Sequence, residues 1–205
     1  MTRITSLMLA TALSSLASPV FAQSQGDFTV GIGLAGVIPE GSDGVLAGGA
    51  VPIDVGNGAS LTLTGEYFIF DNIGIELLAA YPFKHEIRSN GGVIGEVEHL
   101  PPTLSLQYHF TNDTAFKPFV GLGVNYTTFT SDTATGALAG NALDLDDSFG
   151  VAVHAGIDYR FSANDSMRVD VRWMNIESDV KLNGVDIGKA EINPWIFGVS
   201  YIHKF

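Results

Sequence analysis

The sequence predicts an all-β protein, an eight-stranded antiparallel up-and-down transmembrane β-barrel behind an export signal. Three observations point there. The chain combines 24 Gly, 13 Phe and 6 Tyr with only 16% charged residues, a mixture closer to barrels than to helical domains. Past the first 22 residues, eight segments alternate between apolar and small or polar side chains, the period of a strand. No later stretch is apolar for the roughly 20 residues that a spanning helix needs. The absence of cysteine removes disulfide scaffolds, thiolate metal sites and cysteine nucleophiles. With 22 acidic against 10 basic residues and a net charge of -12, nucleic acid is not an expected partner.

The N-terminus reads as a signal peptide, residues 1–22. Arg3 precedes an apolar, small-residue run from Ile4 to Ala17, and Val20 and Ala22 fit a cleavage site. Residues 23–205 are then the transmembrane β-barrel domain, and the expected location is the bacterial outer membrane.

The eight runs follow in order. The first sets Phe28, Val30, Ile32 and Leu34 against Thr29, Gly31 and Gly33; the second sets Leu61, Leu63, Tyr67 and Ile69 against Thr62, Thr64 and Glu66. The third sets Ile73, Ile75, Leu77, Tyr81 and Phe83 against Gly74, Glu76 and Ala80. In the fourth, Leu104, Leu106, Tyr108 and Phe110 oppose Thr103, Ser105, Gln107 and His109; in the fifth, Val120, Leu122, Val124 and Tyr126 oppose Gly121, Gly123 and Asn125. The sixth runs unbroken from Phe149 to Phe161. The seventh carries Met167, Val169, Val171 and Trp173, the eighth Trp195, Phe197, Val199, Tyr201 and Phe205.

Which face is bulky decides between a soluble and a membrane barrel. An eight-stranded interior cannot hold every large side chain of these rows, whereas the Gly, Ser, Thr and Ala of the other face fit a narrow lumen. The apolar face therefore meets lipid, where only helices and closed barrels satisfy the backbone. Short connections at Asp71–Asn72, Thr111–Ala115 and Ser162–Ser166 mark the periplasmic end, and roughly 37–58, 86–98, 130–147 and 177–190 read as long outer loops. Phe110, Phe116, Phe161 and Phe205 form one interfacial girdle, and Tyr81, Phe83, Tyr126, Phe149 and Trp195 the other.

Depth sorts the inward residues. Glu66, Glu76, Asp158, Arg160, Arg168, Asp170 and Arg172 lie near the short turns with charges that nearly cancel, a periplasmic charged plug held by mutual pairing. Toward the outside the face turns greasy at Leu78, Pro82, Met174 and Ile176, the expected lining of a hydrophobic passage, and the loops add Val45, Leu46, Val51, Ile53, Leu138, Leu143 and Leu145. A small apolar solute would enter from outside, meet the plug and leave sideways. Pro82, Pro101, Pro102 and Pro194 remove ladder donors near the outer strand ends.

Other motifs fail on context. Gly31-Ile32-Gly33-Leu34-Ala35-Gly36 matches a dinucleotide fingerprint, but no helix follows it. The five histidines show no ligand spacing, and Ser105 and His109 lack an orienting carboxylate for hydrolysis. No enzyme activity, cofactor or metal is expected.

Several segments together resemble the OmpW family of outer-membrane proteins. They are Lys117-Pro118-Phe119-Val120-Gly121-Leu122-Gly123-Val124-Asn125-Tyr126, Val169-Asp170-Val171-Arg172-Trp173, Leu100-Pro101-Pro102-Thr103-Leu104 and Asn193-Pro194-Trp195-Ile196-Phe197-Gly198-Val199 leading to Phe205. The resemblance implies an eight-stranded barrel passing small hydrophobic solutes. It also implies an assembly signal read by the barrel-assembly machinery, met here by Phe197, Val199, Tyr201 and Phe205, with His203 as a departure. The rival function is a structural or adhesive surface barrel without transport.

Overall fold

Period-two alternation forces each strand to present one face to lipid and one to the lumen, and pairing closes the sheet so that no backbone edge is left in the membrane. The computed structural model describes residues 23–40, 44–46 and 51–205; the expected signal peptide lies outside the described residues, as do the side chains of Val45, Leu46 and Val51. In chain order the strands are β1 (Phe28–Ile38), β2 (Gly44–Leu46), β3 (Val51–Pro52), β4 (Asp54–Val55), β5 (Gly58–Phe70), β6 (Ile73–Ala80), β7 (Phe83–Ser89) and β8 (Gly92–Leu100). They continue as β9 (Thr103–His109), β10 (Phe116–Ala134), β11 (Leu143–Leu145), β12 (Ser148–Arg160), β13 (Asp165–Met174), β14 (Glu177–Leu182), β15 (Val185–Glu191) and β16 (Trp195–Lys204).

Eight of these close the barrel in the order β1-β5-β6-β9-β10-β12-β13-β16, with β16 returning antiparallel to β1 from Thr29↔Lys204 to Ile38↔Trp195. The outward rows are exposed as the alternation requires. Ile32, Leu34, Leu63, Leu77, Leu122, Val169 and Phe197 are all more than half exposed on the lipid side. Polar and small residues fill the lower interior, and its two buried phenylalanines among the described residues each sit beside a glycine. Phe119 packs inward across from Gly156, and Phe68 across from Gly74.

Two expectations are corrected above the barrel. The segments 86–98 and 177–190 are not irregular loops. They form the hairpins β7–β8 and β14–β15, each turning on an Asn-Gly pair with both residues left-handed, Asn90 (φ 49) and Gly91 (φ 80), Asn183 (φ 53) and Gly184 (φ 79). Such turns match strand twist. With β4, the upper part of β10 and the small sheet β11-β14-β15-β2-β3, the hairpins form a β-dome over the outer mouth. Its own apolar core is Ile53, Ile87, Ile94, Val97, Leu143, Leu145, Val180 and Ala190. The second correction concerns Phe83, expected in the lipid-facing girdle but only 2% exposed. Pro82 has no N–H and restricts Tyr81 before it, so β6 stops and the alternation restarts one step out of phase in β7. Tyr81 keeps its place outside and Phe83 turns in.

Candidate functional site

Inside the lower half of the barrel, Arg168 is the hub of a buried ionic network. Its Nε and Nη2 donate to Asp158 at 2.7 and 3.0 Å, and its Nη1 donates to Glu76 Oε2 at 2.8 Å. Arg172 Nη2 donates to the other oxygen of Glu76 at 2.7 Å. Glu66 lies 3.6 Å from Arg168 and bonds His109 Nε2 at 2.8 Å. The guanidinium of Arg168 also sits 4.2 Å over the Phe119 ring, a second source of compensation for a buried cation. Thus the expected plug residues Glu66, Glu76, Asp158, Arg168 and Arg172 converge. Arg160 is half-buried and makes no ion pair among the described residues, and Asp170 lies over Gly198 outside the bonded set.

Above the network the lumen becomes apolar. Leu78, Met174 and Ile176 of the expected lining join Ala35, Val37, Phe83, Ala152, Ile192 and Ile196 in one buried cluster. Pro82 does not enter it; it is half-buried at the wall. Within the dome the apolar cavity is about 10 Å³, no more than the roughly 10–15 Å³ that a single water needs. In this conformation the outer half is filled by its own side chains rather than open.

The wall beside this cluster is interrupted. The β6–β9 ladder ends at Leu78↔Thr103 and the β7–β8 ladder begins at Phe83↔His99. Between them Ala79, Ala80, Tyr81 and Pro82 face Leu100, Pro101 and Pro102 with no ladder pair. The backbone polar groups of this stretch turn away: Tyr81 N–H donates to Leu61 O, and the Pro102 carbonyl accepts from Tyr126 N–H on the far side. The matching kink between β13–β14 and β15–β16 is closed instead. There Met174 N–H donates to Pro194 O, Ile192 N–H to Ile176 O, and Asn193 Oδ1 accepts from Ile176 N–H at 2.9 Å. Pro194 therefore leaves its wall intact, whereas Pro82, Pro101 and Pro102 rim an unbridged opening. Met174 Sδ, 3.9 Å from Thr103 Oγ1, lies directly behind the lower lip. The upper lip is Phe83 stacked on His99 at 5.6 Å, with His99 in turn stacked on His85 at 4.9 Å. Both imidazoles are buried in the dome. Burial lowers His85 below the usual histidine range and holds His99 at about 3, with neighbouring His85 adding to the effect.

The sequence profile of the OmpW family matches residues 24–205. The chain belongs to the OmpW family. Outer membrane protein W of Vibrio cholerae serotype O1 is 40% identical over 215 residues, covering 98% of each chain. Among solved structures, OprG from Pseudomonas aeruginosa superposes with a TM-score of 0.81 at 32% identity, over 90% of this chain and 98% of that one. The outer membrane protein AlkL, solved in lipid bilayers, gives 0.68 at 27% identity, over 90% and 92%. An OmpW-family barrel is an outer-membrane protein, and the exposed apolar belt of this chain is its lipid-facing surface.

Sequence reasoning did not find Phe83, Val37, Ile192 and Ile196 in the cluster, nor His85 and His99 at the upper lip. The Asn-Gly pairs at 90–91 and 183–184 were the available signal, because hairpins there carry alternation into the dome and turn alternate residues over the lumen.

Proposed function

We propose that the barrel is a narrow hydrophobic passage for uptake of small apolar molecules, with lateral release into the outer leaflet through the opening between the β6–β9 and β7–β8 ladders. It acts by passage rather than by catalysis, with membrane lipid as the receiving phase. The single observation that carries this reading is an apolar cluster with an interruption of the wall at its own level and a charged floor beneath it. A solute descending through the dome meets mainly apolar side chains such as Ile87, Val97, Phe83 and Leu78, with the stacked His85 and His99 beside them. The paired charges below offer it nothing that water did not, and crossing them would break hydrogen bonds of about 1.5–3 kcal/mol each. Moving sideways keeps it in contact with apolar surface throughout. Because the cluster is packed shut, passage requires Phe83 and Met174 to change rotamer, a gating motion rather than free diffusion.

The test is uptake of an apolar fluorescent dye by vesicles with and without the full chain, alongside single-channel recording. Protein-dependent uptake with negligible ohmic conductance is expected, and Leu78→Asp or Met174→Asp should abolish uptake in barrels that still show heat-dependent gel mobility. Large conductance without dye uptake overturns the proposal, as does unimpaired uptake in both variants; a purely structural or adhesive barrel gives neither dye uptake nor sensitivity to these changes. For assembly, the outward row Phe197, Val199, Tyr201 and Phe205 is exposed at the barrel's closing strand, which supports its reading as the signal for the barrel-assembly machinery. Phe205→Asp should cut membrane insertion sharply, and unchanged insertion removes that role.

A further inference from the structure

Beside the charged network, on the wall formed by β9, β10, β12 and β13, lies a set of buried polar atoms that the network leaves unbonded. Gln107, fully buried, has no protein partner for either Nε2 or Oε1. Ser105 Oγ, both ring nitrogens of His154 and Asn125 Oδ1 are likewise buried without a hydrogen bond, and Arg172 keeps one unpaired nitrogen, Nη1. Except for Asn125, which lies further outward opposite Thr103, these residues sit on adjoining strands at neighbouring register positions. Register runs Gln107↔Gly121, Gly121↔His154 and His154↔Arg172 across β9, β10, β12 and β13. One step outward, Ser105↔Gly123 and Gly123↔Ala152 leave a wall of small residues that ends at Met174. A buried polar group left unsatisfied costs about 1–3 kcal/mol, so a row with this many open donors and acceptors is a place prepared for a hydrogen-bonding guest. Ser105 lies two residues below the Thr103 lip, about 7 Å along the strand.

We propose that the passage selects amphiphiles: a neutral hydrogen-bonding head, hydroxyl or carbonyl, seats on Ser105, Gln107 and His154 while the apolar body fills the cluster above. The inference rests on the passage proposed for this barrel and names its substrate class. The neutral head follows from the charges just below. Arg168 and Arg172 already bond Asp158 and Glu76, so an anionic head would place a second negative charge beside Glu76, which disfavours it. An ammonium would leave water for carboxylates that are mostly already bonded to arginine. A held head also sets the direction of exit, since the tail lies level with the lips Leu78 and Phe83 and enters the bilayer first.

The experiment compares n-decane, 1-decanol and decanoate, each scored as protein-dependent uptake by vesicles carrying the full chain relative to empty vesicles. One hydrogen bond distinguishes alcohol from alkane, so 1-decanol should be favoured by about tenfold, with decanoate no better than decane. Gln107→Leu removes no protein hydrogen bond, so the barrel should fold, and the decanol-to-decane ratio should fall to about one. Equal uptake of decane and decanol by the native chain overturns the head site and leaves the passage standing; so does an unchanged ratio in Gln107→Leu. Absence of protein-dependent uptake for all three overturns the passage and the head site together. A shift of the Gln107 side-chain amide resonances on adding 1-decanol but not decane gives independent support, and its absence counts against the head site.

Discussion

Replacing Arg168 with Met tests whether the ionic network closes the inner half of the barrel. Methionine preserves an apolar stem to pack on Phe119 while removing the guanidinium. The three carboxylates around Arg168 do not lose equally. Glu76 retains Arg172 at 2.7 Å and Glu66 retains His109 at 2.8 Å, but Asp158 loses both of its close bonds and keeps only His109 Nδ1 at 4.0 Å and the longer-range attraction of Arg160. One carboxylate therefore becomes a buried charge without a close partner, a loss of about 3 kcal/mol, the lower end of the usual cost of breaking a buried pair. Urea unfolding in lipid vesicles, followed through Trp173 and Trp195 fluorescence and heat-dependent gel mobility, reads that loss. The geometry also fixes the rescue. Arg168→Met with Asp158→Asn should recover most of the stability, whereas Arg168→Met with Glu76→Gln should not, because it leaves Asp158 charged and deprives Arg172 of its partner. A single variant within about 1 kcal/mol of the native chain, or better rescue through Glu76 than through Asp158, refutes the reasoning.

Three further outcomes follow from the structure. Because burial holds His99 at about 3 against an ordinary 6.5, the opened dome binds a proton that the closed dome refuses throughout that window. Closed-state stability is full above pH 6.5 and falls with acidification, by about 2 kcal/mol from this group alone at pH 5. Amide hydrogen exchange over β7 and β8, corrected for intrinsic rates, should accelerate accordingly, and pH-independent protection would refute the assignment. A Cβ on Gly121 would overlap the His154 imidazole, so Gly121→Ala should destabilise the folded barrel by about 1–3 kcal/mol in the same urea assay. Gly184→Val forces a β-branched residue to φ 79, about 1–2 kcal/mol of strain; protease should then nick the β14–β15 hairpin faster while the membrane-embedded fragment survives.

How far the sequence reveals this molecule depends on what each residue answers to. The barrel strands answer to lipid on one face along their whole length, so a period of two is enough to place Ile32, Leu63, Leu122 or Phe197 outside. Plug residues answer to depth and sign, and counting inward from the short turns brings five of the seven into one bonded network. That count is blind to reach. Arg160 and Asp170 share the inward face, but pairing depends on which side chain crosses the lumen, and Arg168, opposite Asp158 in register and long enough to reach Glu76, satisfies both. The lining fails for a different reason. Above Pro82 the outward face meets water rather than lipid and the inward face meets the dome, so hydrophobicity no longer reports direction. Phe83 carries the same chemistry as the girdle aromatics and points the other way, because a proline displaced the phase of alternation by one residue. The interior rings show the same limit from within the barrel. Phe119 and Phe68 break the rule that bulk faces lipid, and each does so opposite a glycine on the adjoining strand, Gly156 and Gly74. For these two rings the glycine of a paired strand, not the residue's own polarity, admits the side chain to the narrow lumen, and that pairing exists only once the register is known.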